Sequence, residues 1–318
     1  MALTPCSQCF LFAGRPLLFN SDSPKIAQYA TDFLPRNVGQ EFGPSENCAT
    51  ITIHVREGNE PCENAPWFRA RGHFAFARFT RADSFWFNLR TREIYGVCTP
   101  ELAEDSWRWH AHIFPTLLGI LSAVIGVAPV HAACLVHDGR GTLLAGHSGA
   151  GKSTLALSLA IRGYALLSDE WTYLSADRSG VAAWGLPVPV KLLPDATRFF
   201  PELLACRPTS SLNGETAYEV FPDEYFGISR QMRCSVEAIV LLERKAFAGS
   251  KIVPISTTEA IDHLTSEVEP LEGALARFYA GQLEIIRRLE HARCLRVSFN
   301  DHPSTVAEAL DSVLAVMP

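Results

Sequence analysis

The sequence has no surplus of positive charge. Its 28 Lys and Arg stand against 34 Asp and Glu, a formal net charge of −6 over 318 residues, with a pI near 5.9. That excludes the basic footprint with which nucleic-acid-binding domains neutralise phosphates, and it favours a small molecule or a peptide as partner. Paired metal-binding cysteines are also missing. The nine cysteines are scattered and odd in number, and Cys6-Ser7-Gln8-Cys9 is a lone C-x-x-C without a second pair or histidines at ligand spacing. With no secretory signal legible at the start, reduced thiols in a cytoplasmic protein are expected. Long apolar runs are scarce as well. Ile113 to Val130 contains 18 residues without a charge, the lower limit for a membrane span. Pro115 and Pro129 bracket it and Gly119 and Gly126 dilute it, so a buried helix packed under the sheet of the second half of the chain, and running into a strand near His131, is expected, with no membrane partner.

What is present is a globular composition, 47% hydrophobic and 19% charged, in a chain long enough for two domains. Residues 1–104 read as a smaller β-rich domain. Ala49–Val55, Phe74–Phe79, Ser84–Arg90 and Glu93–Val97 alternate as the strands of a meander with one solvated face, and a helix spans Lys25 to Phe33. This domain holds no constellation for chemistry. His110 and His112, near Trp107 and Trp109, point in different directions on a helix. Acceptor recognition or self-association is left to this domain by elimination.

Residues 105–318 carry the chemistry. Gly146-His147-Ser148-Gly149-Ala150-Gly151-Lys152-Ser153 fits G-x-x-x-x-G-K-[ST], the loop whose backbone N–H groups turn inward around phosphates. Lys152 would reach the β- and γ-phosphates, the Ser153 hydroxyl would hold Mg²⁺, and the cradle extends to Thr154. The context is the required one: an apolar strand over Gly141–Ala145, then a helix from Lys152 to Arg162 stopped by Gly163. The ligand class is a nucleoside triphosphate, and ATP with Mg²⁺ is expected.

After that helix, Tyr164–Leu167 reads as a second strand ending in Ser168-Asp169-Glu170. Ligands of open α/β sheets sit outside the carboxyl ends of the strands. Because side chains alternate, Asp169 and Glu170 divide two tasks, a base for the attacking hydroxyl and a metal ligand.

His131, the loop GHSGAGKS, Arg162-Gly163 and Leu166-Leu167-Ser168-Asp169-Glu170 resemble the HPr kinase/phosphorylase family, a P-loop group related to phosphoenolpyruvate carboxykinase. The separations of His131 from Gly146 and of Lys152 from Asp169 both match. The resemblance implies an α/β fold, a P-loop mixed sheet flanked by helices, and Asp169 as catalytic acid/base for a serine hydroxyl. It implies that His131 contacts this carboxylate region and tunes its proton affinity, beside Lys152, and that Ser153 and Glu170 serve the metal. The family's ring-forming hexamers imply self-association. Two departures stand out. Glu170 replaces the family's second Asp, and Ala183–Lys191 (AWGLPVPVK) has no acidic residue where HPr kinases carry a Glu-Ile-Arg-Gly signature. The first bears on where the metal sits and which group binds it; the second points away from HPr as acceptor and from phosphorolysis, and toward the stand-alone HPr-kinase-like proteins, some of which phosphorylate precursor peptides.

The remaining sequence completes the sheet, with strands at Val236–Leu242, Lys251–Ile255 and Cys294–Phe299 and helices at Gly273–Leu289 and Ser304–Val316. Lys191 and Arg244 are candidate cations near phosphate, each with a surface salt bridge as the competing reading. Arg207–Arg230 lacks periodicity and reads as a lid or acceptor-binding loop. The expected function is an ATP-Mg²⁺-dependent kinase acting on a serine hydroxyl of a peptide, protein or small molecule. A P-loop ATPase or nucleotide switch without a phosphorylated acceptor is the alternative.

Overall fold

The computed structural model describes residues 6–36, 48–57, 67–80, 82–178, 180–210, 214–245 and 249–316, and its architecture is mixed α/β, with sheets flanked by helices. The chain forms two compact units, Met1–Val127 with Pro270–Gln282, and Ala128–Glu269 with Leu283–Pro318. The sequence boundary near residue 104 and this partition differ over 105–127 and 270–282.

In the first unit a seven-stranded sheet runs in the order Cys6–Phe12, Arg15–Ser21, Ala49–Val55, Glu93–Cys98, Ser84–Asn88, Phe74–Arg78, Trp67–Arg71. Period-2 alternation sends Ile51, Ile53, Phe85, Phe87 and Ile94 into the core and leaves Trp86 and Tyr95 outside. The sheet is not a plain meander: Ala49–Val55 lies parallel to both its neighbours. The helix Pro24–Phe33 starts where the Ser23 hydroxyl accepts from Ile26 N–H, a side-chain cap, and buries Ile26, Ala27, Ala30 and Phe33 along one stripe.

The apolar stretch after Ile113 forms the helix Phe114–Ser122 and then the strand Ala128–Val130. Among the described residues no helix is long and apolar enough to cross a membrane. This helix was expected under the nucleotide sheet, and the structure corrects that. Phe114 meets the rings of Phe19 and Phe33 at centroid distances of 6.0 and 5.0 Å, so the helix covers the first unit's sheet. His110 joins the same aromatic cluster, 5.7 Å from both Tyr29 and Phe33. Cys6 is exposed and Cys9 half-buried, on opposite faces of their strand.

The second unit holds a nine-stranded sheet. Its long strand Arg233–Arg244 pairs parallel with Arg140–Ala145 on one side. On the other side it pairs first with Gly180–Trp184 and then, parallel, with Arg293–Phe299. Ala133–His137 lies antiparallel between Arg140–Ala145 and Ala165–Ser168, so those two outer strands point the same way. Lys152–Ile161 and Pro303–Val316 pack on this sheet, with Leu155, Leu159, Val306 and Leu310 in the core.

The segment read as a lid or acceptor-binding loop is partly built of regular elements. Thr209–Ser210 and Thr216–Val220 join Val190–Leu192 in a three-stranded sheet, and Pro222–Phe226 is helical; residues 211–213 lie outside the described residues. Ala217 and Val220, on its central strand, are buried.

Gly185 anchors the turn into this small sheet. A Cβ there would lie 1.8 Å from the Leu167 carbonyl oxygen, and Gly185 N–H donates to Met232 O at 3.1 Å. Gly185→Ala is therefore expected to destabilise by about 2–3 kcal/mol, the range of overpacking. A thermal melt checks this, and an unchanged midpoint would mean that the segment yields without cost.

Candidate functional site

Thr142–Ala145 are fully buried, and the chain leaves the sheet at Gly146. Its φ is +151°, and a Cβ would sit 2.6 Å from Leu242 O. Gly149 and Gly151 follow at φ +79° and +94°, conformations that favour glycine. Gly151 caps the helix Lys152–Ile161 with no side-chain hydrogen bond and no acidic residue in the first turn. The first-turn N–H groups, which a helix leaves without internal partners, thus end at a positive dipole terminus facing the loop.

Lys152 is only 7% exposed. Its ammonium donates to Gly146 O at 2.7 Å and to His147 O at 3.4 Å, which closes the loop on itself. Burial holds its pKa below the usual lysine value, while Glu267 and Glu170 pull the other way. Ser153 and Thr154 are half-buried, and His147, Ser148 and Gly149 are exposed. Ala150 turns into the core and donates its N–H to His147 O at 3.1 Å.

Ala165–Ser168 ends at the same sheet edge as Arg140–Ala145, which brings Asp169 and Glu170 to the loop's side. Alternation sets them in different surroundings: Asp169 is 4% exposed and Glu170 is open to solvent. Asp169 Oδ2 accepts from Lys191 N–H at 3.0 Å. Burial pushes the Asp169 carboxyl up to about 7, and the neighbouring Glu170 charge adds to this. The Lys191 N–H and the Arg230 guanidinium oppose the rise without overcoming it.

Arg230 is a site residue the sequence did not disclose. It arrives because Ser229 and Gln231 hydrogen-bond with Leu166, N–H to O at 2.9 and 3.1 Å. Its guanidinium donates to Val188 O and lies 3.6 Å from Asp223. The Nε is buried without an acceptor among the described residues. Nothing in the local sequence around Ser229-Arg230 marks it.

His131 lies on the Glu170 side of the carboxylate pair. Its Nδ1 lies 3.7 Å from Glu267 Oε2 and its ring rests 5.3 Å from Trp171. Its charged neighbours are Lys152, Glu170 and Glu267, not Asp169. Burial, with Lys152 assisting, lowers its pKa below the ordinary histidine value. Glu267, which follows the helix Thr257–Ser266, also reaches His147 Nδ1 at 3.8 Å. His263 stands 5.4 Å from His147. Glu267 and His263 come from a distant helix, and no motif announces them.

Of the two candidate cations, Arg244 borders the loop. Its guanidinium covers the Phe299 ring at 4.8 Å, and a Cβ on Gly151 would lie 3.4 Å from its Nη2. The Lys191 ammonium instead pairs with Glu215 at 2.8 Å. No group of three or more His, Cys, Asp or Glu able to hold a metal occurs among the described residues. A cavity of about 380 Å³ lined by Gly139, Val181, Arg233 and their neighbours lies at the opposite end of these strands.

No family model matches the chain, and no curated protein sequence matches it. Among solved structures, the Hpr(Ser) kinase/phosphatase from Coxiella burnetii is similar at a TM-score of 0.31 and 15% identity, covering 59% of this chain and 96% of that chain. A likeness at that score assigns neither fold nor activity.

Proposed function

We propose that the chain is an ATP- and Mg²⁺-dependent kinase of the HPr kinase/phosphoenolpyruvate carboxykinase-like P-loop type, transferring the γ-phosphoryl group to a serine hydroxyl of a peptide, protein or small molecule. The observation that carries this reading is Asp169. It is a buried carboxyl held near pH 7, at the sheet edge where a glycine-rich loop opens onto an uncapped helix start. A general base works best with its pKa near the working pH.

The residues fit a bound nucleotide. Loop and first-turn N–H groups would cradle the phosphates, and Lys152 would exchange the carbonyls of Gly146 and His147 for phosphate oxygens. Arg244, at the loop's rim, is positioned to meet charge on the same group. Mg²⁺ keeps most of its waters and needs one or two protein ligands, which Ser153 and Glu170 can supply; bound there, it would neutralise charge on the β- and γ-oxygens. In transfer, Asp169 takes the proton as the acceptor oxygen bonds to the γ-phosphorus and the bond to the β–γ bridging oxygen breaks, releasing ADP. The Lys191 N–H, bonded to Oδ2 at 3.0 Å, would hold the Asp169 carboxylate in place through that step, and the Arg230 charge nearby would favour its ionised form.

The test is incubation with γ-labelled ATP, Mg²⁺ and fractionated lysate. Label in a discrete acceptor, absent with Asp169→Asn, is expected. Free phosphate alone, at the same rate with and without lysate, would overturn the kinase in favour of an ATPase or switch.

His131 gives a second prediction. It is mostly neutral at pH 7 because burial lowers its pKa, and its protonation adds a charge beside Lys152 and Glu170. His131→Ala is expected to lower kcat about tenfold and to move the acidic limb of the pH–rate profile, within the span of acid–base effects. An unmoved profile would leave His131 a structural partner of Glu267.

A further inference from the structure

The first unit's sheet leaves a large aromatic face uncovered. Trp67, Phe74, Trp86 and Tyr95 are 44%, 55%, 57% and 48% exposed on adjacent strands, where single exposed aromatics would need no explanation. They form one surface. Arg69, Phe76, Trp86 and Tyr95 are successive cross-strand partners. The Phe76 ring lies 4.4 Å from Trp86 and 5.5 Å from Trp67, and the Arg69 guanidinium covers Trp67 at 5.1 Å.

The same face is basic in a chain whose net charge is −6. Arg69, Arg71 and Arg78 alternate onto it by register, and no carboxylate pairs with any of them among the described residues. Glu93 is engaged by the Thr91 hydroxyl at 2.6 Å.

The strand Trp67–Arg71 also ends the sheet order, and all five of its residues are exposed. A two-residue turn at Gly72-His73, with Gly72 at φ +60°, closes a tight hairpin on the pair Arg71 and Phe74. In such a ladder the residues alternate between bonding inward and facing the free edge. Phe68 and Ala70 therefore turn their N–H and C=O groups to the edge, where no strand pairs with them among the described residues.

We propose that this edge and face dock an extended acidic peptide by strand addition, with carboxylates at every second position set against Arg69 and Arg71 and the intervening backbone on Phe68 and Ala70. Strand addition takes its affinity from main-chain bonds and its specificity from alternate side chains. A second copy of this chain is disfavoured as occupant, because edge-to-edge pairing would oppose Arg69 and Arg71 with their own kind. Single-stranded nucleic acid also stacks on aromatic platforms, but it makes no use of a free strand edge.

The test uses the full chain at low salt and a fluorescein-labelled decapeptide of alternating Glu and Val, read by anisotropy and by tryptophan fluorescence. Binding is expected for this probe and not for a Lys-Val decapeptide. Arg69→Glu with Arg71→Glu should weaken it about tenfold, the sum of a few charge-assisted surface contacts. Ala70→Pro should weaken it similarly without altering charge, since only an outward N–H is lost. Circular dichroism controls for folding, and Lys152→Ala should bind the probe unchanged, which separates this proposal from the kinase reading. Equal binding of the Lys-Val probe, or no loss in either variant, overturns it. So do preferential binding of a uridine decanucleotide and self-association that the Arg variants abolish.

Discussion

Asp169→Asn is expected to remove phosphoryl transfer by about 10³-fold or more, the upper range for a lost general base, while nucleotide binding survives. The same substitution should raise thermal stability at pH 8. The folded-state carboxyl keeps its proton up to about pH 7, against an ordinary value of 3.8. Between those values the folded state binds more protons than the unfolded one, so stability falls as pH rises through the window and the full cost is present above it. Converted at about 1.4 kcal/mol per pH unit, the upper bound is about 4 kcal/mol. Asparagine carries no charge and can still accept the Lys191 N–H. Melting curves of both proteins from pH 5 to 8 should therefore diverge toward the alkaline end. A variant less stable than the parent at pH 8 would mean that Arg230 fully supports the carboxylate; retained transfer would remove Asp169 from the chemistry.

Lys152→Ala should lower kcat/KM for ATP by about 10²–10³-fold, the loss expected for an electrostatic contact to transferring phosphate. Its effect on folding should be small. The ammonium is largely desolvated, so deleting it relieves a buried charge while leaving the Gly146 carbonyl, 2.7 Å from the lysine nitrogen, to seek another donor. Lys152→Arg should not rescue, because the wider guanidinium cannot enter the space between the loop carbonyls. Calorimetric titration with a non-hydrolysable ATP analogue and steady-state kinetics check both variants. Turnover close to that of the parent in Lys152→Ala would sink the phosphate-cradle assignment.

Which parts of this site were legible in advance follows from how each residue gets there. The Gly146–Ser153 loop could be read because its requirements are local: φ values that favour glycine and a helix that begins at once. Asp169 and Glu170 could be read because they end a strand that the apolar run before them predicts. Arg230 could not, since it reaches Asp169 through backbone pairing between Leu166 and the Ser229–Gln231 segment, a tertiary event without sequence periodicity. Glu267 and His263 likewise depend on where one helix docks. The helix Phe114–Ser122 was found but assigned to the wrong sheet, because it is apolar on nearly every side and no face declares its partner. The hairpin of Cys6–Phe12 and Arg15–Ser21 was missed because Ala13-Gly14 lacks the Asn or Asp that usually marks such a turn, although both residues take positive φ, +48° and +74°.

The path of the chain between its two units bears on biogenesis. Residues Pro270–Gln282 belong with Met1–Val127: Gln282 donates to Val127 O, and Arg92 covers the Phe278 ring. A nascent polypeptide leaving the ribosome therefore cannot finish its first unit until residue 282 has emerged. The second unit also waits, since Arg293–Phe299 is the strand that covers the carboxyl half of Arg233–Arg244. Both units therefore close almost together, once residues 282 to 299 have emerged, and the edge of Arg233–Arg244 that Arg293–Phe299 covers stays open until then. Such intermediates attract aggregation and chaperones, and expression yield should respond more to chaperone supply than to any single substitution in the finished fold.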